Sequence, residues 1–140
     1  MNCVVDASVA AKWFFEEVHS DEAILLLNIG NELHTPDLLL IEFDSILCKR
    51  IRREEISEEE GEVVRDAIRS VPIQSHPSGD LLDAAFYLAN RTKRSIYDCI
   101  YLALAMLLDG RMVTADRRFY DGVQGGLAKK YLLWVGDLGQ

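Results

Sequence analysis

Long apolar runs are missing from this chain. The most apolar stretches, Ala23 to Ile29 and Ala103 to Leu108, stop far short of the ~18 residues that a membrane span requires. The start, MNCVVDAS, lacks the basic and then apolar shape of a signal peptide, so the expected location is the cytoplasm, with no membrane contact. Cysteine is scarce as well. Cys3, Cys48 and Cys99 are odd in number and far apart, with no CxxC and no Cys/His pair, which leaves neither a disulfide framework nor a zinc site supported. Each sits in an apolar segment and is expected to be a small core residue. Positive charge is in deficit: 15 Lys and Arg against 23 Asp and Glu give a net charge of −8. That argues against a nucleic-acid coat relying on a uniformly basic surface. A local basic groove stays open, built from Lys49, Arg50, Arg52 and Arg53, from Arg91, Lys93 and Arg94, or from Arg117, Arg118, Lys129 and Lys130. Each cluster also reads as a solvated helix end beside a favourable dipole. There is no internal repeat and no low-complexity segment.

What is present is an ordinary globule, 49% apolar and 27% charged. Its 140 residues are read as one domain, 1–140, large enough for a real core. Asn2 to Val5 is a short apolar strand ending in Asp6, and Ser8 is placed to cap a helix through about Phe15. Ser20 to Asn31 carries helix punctuation at both ends, and His34 to Pro36 closes a second strand. A helix is expected from about Asp37 to Arg53. Ser57 and Glu60 make a capping box for another, running to about Ser70 and pairing with the first as a hairpin. Val71 to His76 reads as a third strand, Pro77 to Gly79 as a turn into a helix through about Asn90. The stretch Ile96 to Leu108 has no wet face and must be buried, with Gly110 as its C-terminal stop. Arg111 to Thr114 is a fourth strand, glycines 122, 125 and 126 mark a loop, and Tyr131 to Val135 is a last strand. Short strands alternating with helices imply a mostly parallel sheet covered on both faces, a three-layer α/β/α sandwich.

Four acids are candidates for a site, and two of them, Asp98 and Asp116, fall where neither the helix nor the strand beside them needs one. Asp6 ends the first strand, Asp98 lies in the first turn of a buried helix, and Asp116 follows the fourth strand, where open parallel sheets keep their binding sites. Glu42 interrupts an apolar face between Leu38 and Ile46. Asp44, between Leu40 and Cys48, competes with it, and periodicity alone does not choose. Taken singly, each acid has a structural reading as cap, turn former or ion-pair member. Carboxylates that converge without cations repel one another, and a divalent ion removes the conflict. Oxygen ligands without His or Cys suit Mg²⁺ or Mn²⁺, which keep several waters and also take phosphate oxygens. Such an ion lowers the pKa of a water, orients it for in-line attack and neutralises charge developing on a phosphodiester.

The segments VVDASVAAKWF at 4 to 14, the Glu42 helix, IYDCIYLALA at 96 to 105 and VTADRRF at 113 to 119 resemble the PIN-domain ribonucleases, most closely the toxin half of VapBC toxin–antitoxin pairs. The resemblance implies a PIN-like fold, metal-dependent RNA endonuclease activity, a small VapB-like antitoxin that blocks the site, and a homodimer. It maps the acidic quartet, catalytic and metal-holding, onto Asp6, Glu42, Asp98 and Asp116, with Glu42 as ligand or acting through a water. Supporting hydroxyls map onto Ser8 and Thr114, and the family spacing selects Glu42 over Asp44. Ser45 departs from the Asn of many relatives, and Asp121 is a candidate variable fifth acid. Lys12 reads as a surface lysine with phosphate contact as the alternative, and Trp13, Phe14 and Phe15 as core or dimer residues. Two other readings compete: a catalytically silent PIN scaffold and a Mg-binding phosphoacceptor module, which would need Lys129 or Lys130 as its lysine.

Overall fold

The computed structural model describes residues 1–28, 30–123 and 126–140. Gly125, expected in the loop, and Ile29, inside the expected second helix, lie outside them. Five parallel strands, β1 (Asn2–Val5), β2 (Glu32–Pro36), β3 (Ile73–His76), β4 (Arg111–Thr114) and β5 (Leu132–Trp134), form one sheet in the order β3-β2-β1-β4-β5. Val4 stands opposite His34 on one side and Met112 on the other. Cys3, Val4 and Val5 are fully buried, so this central strand is covered on both faces, which is why its sequence is an unbroken apolar run. Cys3 and Val5 join one apolar cluster and Val4 the other.

Helices α1 (Ala7–Ala11), α2 (Ser20–Ile24), α3 (Leu38–Arg52) and α4 (Glu58–Ser70) cover the first face, supplying Val9, Ala23, Phe43 and Ile68 to its core. Helices α5 (Leu82–Thr92), α6 (Ile96–Leu107) and α7 (Arg117–Gly122) cover the second, supplying Ala85, Leu102, Leu104 and Phe119. The three-layer sandwich is the fold observed. The α3–α4 hairpin closes as its sequence signals require: the Glu60 amide donates to Ser57 Oγ at 3.0 Å and the Ser57 amide to Glu60 Oε1 at 3.1 Å. Gly61 lets the two helices approach, since a Cβ there would lie 2.8 Å from Ile51 Cδ1. Among the described residues no helix is long and apolar enough to cross a membrane.

Three local expectations are corrected. The first helix ends at Ala11 and not near Phe15, and its cap is Asp6, not Ser8. The expected helix from Ser20 stops at Ile24 and tightens into a 3-10 turn over Leu25–Leu27. Cys48 is exposed, because Leu39, Phe43 and Leu47 take the inner face of α3 and residue 48 falls beside that stripe. Gly110 takes part in the C-terminal stop of α6 as expected, while the left-handed position belongs to its neighbour. That position is Asp109 at φ 51°, with its amide bonded to Met106 O and the Gly110 amide to Ala105 O, a Schellman arrangement. Gly110 is required for another reason: a Cβ would come within 2.4 Å of the Asn2 carbonyl oxygen. The middle of α6 is buried from Cys99 to Ala105 as expected, whereas Tyr97 and Leu107 at its ends are exposed.

Candidate active site

The strand order reverses at β1 and β4. The chain leaves β1 for one side of the sheet and, after β3, crosses back to β4 on the other. The crevice at the carboxyl ends of these two strands is the topological switch point, where open α/β sheets bind ligands. Asp6 follows β1 and Asp116 closely follows β4, so the topology alone delivers both carboxylates to it.

Each of the two also caps a helix. Asp6 Oδ1 accepts from the Val9 amide at 2.9 Å and Asp116 Oδ1 from the Phe119 amide at 3.0 Å. The cap reading and the site reading thus hold together, since a carboxylate has a second oxygen to offer. Among the described residues nothing hydrogen-bonds Asp6 Oδ2. Thr114 is buried, and its Oγ1 accepts from the Asp116 amide at 3.1 Å, which fixes the turn carrying that acid.

Asp98 enters from the first turn of α6, where Ser95 Oγ accepts its amide at 3.1 Å. Glu42 enters from α3. Asp6, Glu42 and Asp98 line one cavity of about 230 Å³ together with Ser8, Ser45 and Tyr101. Asp116 is not among its lining residues, but its charge reaches both Asp6 and Asp98. Asp44 turns the other way and takes Arg65 Nε on both carboxylate oxygens at 3.0 Å. Asp121 pairs with Arg117 on the exposed side of α7, away from the cavity.

Tyr101 is the residue that sequence reasoning missed. Its side chain is 1% exposed and its hydroxyl donates to Glu42 Oε1 at 2.6 Å. The signal was a hydroxyl one helical turn beyond Asp98, on the buried stretch of α6. Lys12 also differs from its surface reading: its side chain is 10% exposed, and Nζ donates to the Val18 carbonyl at 2.7 Å and to Glu17 at 3.4 Å. Trp13, Phe14 and Phe15 pack against the core; Trp13 Nε1 donates to Ala23 O and Phe14 meets Phe43 edge-on.

The electrostatics of the cavity are unfavourable as it stands. Burial pushes Asp6 up to about 7 against the pull of the Val9 amide, and the charges of Asp98, Glu42 and Asp116 push the same way. Burial likewise raises Glu42, opposed by the Tyr101 hydroxyl, and raises Asp98, opposed by Ser95 and by the Arg94 guanidinium. Such a set calls for a cation. Among the described residues no three His, Cys, Asp or Glu side chains form a ready-made metal cage. A cation held here would complete its shell with ligands from outside the protein. The all-oxygen donor set, with Asp6 Oδ2 unused, fits such an ion.

A family model described as the PIN domain matches residues 3–122. The chain belongs to the PIN-domain family. Among PIN relatives, Ribonuclease VapC3 of Pyrobaculum aerophilum is 32% identical over 120 residues, covering 84% of this chain and 92% of its own. Ribonuclease VapC9 of Mycobacterium tuberculosis is 29% identical over 118 residues, covering 84% and 88%. A solved toxin–antitoxin complex from Klebsiella pneumoniae superposes with a TM-score of 0.64 at 15% identity, covering 94% of this chain and 95% of the other. Mycobacterium tuberculosis VapC20, a Sarcin-Ricin loop cleaving toxin, gives 0.64 at 20%, covering 85% and 93%. At those identities the structural likeness speaks to the PIN fold.

Proposed function

We propose that this PIN-domain chain is a metal-dependent endoribonuclease, the toxin member of a type II toxin–antitoxin pair, that hydrolyses RNA phosphodiester bonds. The observation that carries this reading is the gathering of carboxylates from separate segments at the β1/β4 crevice, in a chain whose relatives are VapC ribonucleases. A bound Mg²⁺ or Mn²⁺ would lower the pKa of the attacking water and offset charge developing at phosphorus. Asp6 and Asp98 would hold the ion directly, and Asp116 would complete the set directly or through water. Glu42, its carboxylate fixed by Tyr101, would hold the ion itself or orient a water on it. Ser8 lines the cavity and Thr114 fixes the turn that carries Asp116, so the two hydroxyls support the acids. The whole chain serves as one domain in the cytoplasm. A small antitoxin covers the crevice, and two copies of the chain pair as a homodimer.

The phosphoacceptor alternative is weakened because Lys129 and Lys130 line a different cavity, beside Arg111 and Tyr120. Incubating RNA and Mn²⁺ with the purified protein, beside the Asp6→Asn and Asp98→Asn variants, tests the assignment. Cleavage by the wild type that both variants lose supports it. Equal cleavage by all three means a contaminating nuclease and removes that support, and absence of cleavage favours a silent scaffold. Labelling by acetyl phosphate without RNA cleavage favours the signalling module.

A further inference from the structure

The acid cavity does not end at the carboxylates. Ser8 and Ile46 line it and also line a second cavity of about 430 Å³, which takes in Ala115, the residue before Asp116. The second cavity is basic on balance, lined by Lys12, Lys49, Arg50 and Arg53 against Glu17 and Glu55. One face of α3 joins the two. Glu42, Ile46, Lys49 and Arg53 recur at spacings of three and four, so they follow one stripe. With a rise of 1.5 Å per residue, Lys49 lies ~10 Å and Arg53 ~16 Å along the helix from Glu42.

The four cations are not equivalent. Lys12 and Arg50 are both committed to Glu17; Arg50 also meets Glu55 and lies 4.0 Å over the Phe15 ring, so these two build the wall. Lys49 and Arg53 are exposed, and among the described residues neither side chain has a hydrogen-bond or ion-pair partner. Cations near a helix C-terminus also favour its dipole, but that holds equally for Arg52, which does not line the groove. The other basic cavity, at Lys129 and Lys130, shares no lining residue with the acid pocket.

We propose that the RNA strand runs out of the acid pocket along this face of α3, with phosphates flanking the scissile bond held by Lys49 and Arg53. The inference rests on the ribonuclease reading for its substrate, yet it is a statement about binding and is tested as one. In a chain of net charge −8, two free cations beside the acids are what lets a polyanion approach them.

The test is fluorescence anisotropy of a labelled single-stranded oligoribonucleotide in EDTA across a salt series, followed by cleavage kinetics in Mn²⁺. The variants are Lys49→Ala/Arg53→Ala and the charge-matched control Arg52→Ala/Lys130→Ala. Removing two phosphate contacts is expected to weaken binding roughly tenfold and to lower the salt slope by about 1.4, with KM raised and kcat held. The control pair is expected to follow the wild type, and Lys49→Arg/Arg53→Lys to restore binding in a protein of unchanged thermal midpoint. Equal binding by the test and control pairs overturns the groove while leaving cleavage by the wild type as it is. The expected binding pattern in a protein that never cleaves RNA supports the groove and overturns the nuclease assignment.

Discussion

Glu42 and Asp44 stand two residues apart on α3 and meet opposite fates. Asp44 turns to the α3–α4 hairpin, where Arg65 takes both its oxygens. Glu42 turns to the β1/β4 crevice, where the other carboxylates nearby are like-charged and its partner is the neutral hydroxyl of Tyr101. The hairpin shows acids used for stability: Ser57 and Glu60 cap, Glu58 and Glu59 favour the first turn, and Arg65 answers Asp44. The crevice shows acids gathered at a cost to the metal-free fold. Sites assembled for function commonly carry such a local cost, and it should be removable.

The sharpest contrast comes from deleting charge in each region. Asp6→Asn or Asp98→Asn is expected to lower RNA cleavage by about 100-fold or more, read as kcat/KM in Mn²⁺. Asp6→Asn keeps a good helix cap, so its thermal midpoint in EDTA at pH 8 should equal or exceed that of the wild type. A large loss of stability instead would mean that the crevice acids hold the fold together.

Tyr101→Phe should cost 10- to 100-fold in metal affinity or activity, since only the hydroxyl that orients Glu42 is removed. Its circular dichroism should be unchanged. A fully active variant would show that Glu42 needs no such support.

The pH dependence follows from the direction of the shifts. Asp6 is raised from 3.8 to about 7, and Glu42 and Asp98 are raised too, so the folded state holds these protons more tightly than the unfolded chain. The contribution of Asp6 to stability in EDTA is therefore fully present below its unfolded value of 3.8 and lost as pH rises through about 7, and the raised Glu42 and Asp98 act in the same direction. Metal binding requires the deprotonated acids, so stabilisation by Mn²⁺ should grow between pH 5.5 and pH 8. Thermal midpoints with and without the ion measure both slopes, and a metal effect independent of pH would break the argument.

In the hairpin the effects are smaller and spare activity. Ser57→Ala should destabilise by about 1 kcal/mol in urea titration. Arg65→Ala should cost about 0.2–1 kcal/mol or less, since Arg65 is 50% exposed. Cleavage should be unchanged in both.

The hairpin was legible because its signals are local. Ser57, Glu60 and the apolar period of α3 and α4 lie within a turn of the residues they act on. The layer order was legible from the alternation of strands and helices. From spacing alone the crevice was legible as separate acids, each with an equal structural reading; the family resemblance grouped them, and what joins them in space is long-range topology. Periodicity left Glu42 and Asp44 open, because the choice depends on which neighbour each face meets, α4 or the sheet crevice. The need for glycine at 110 was hidden for the same reason: its constraint is the Asn2 carbonyl more than a hundred residues away in sequence, while Asp109 takes the left-handed turn.

The central claim is that the crevice acids share a divalent ion. The direct measurement is anomalous diffraction from crystals of the wild-type protein soaked in Mn²⁺. The account requires a peak at the carboxyl ends of β1 and β4, within coordinating distance of Asp6 and at least one of Asp98 and Asp116, and absent from Asp6→Asn crystals. Fully ordered crystals with no peak there, or with a peak that survives the substitution unchanged, would contradict it.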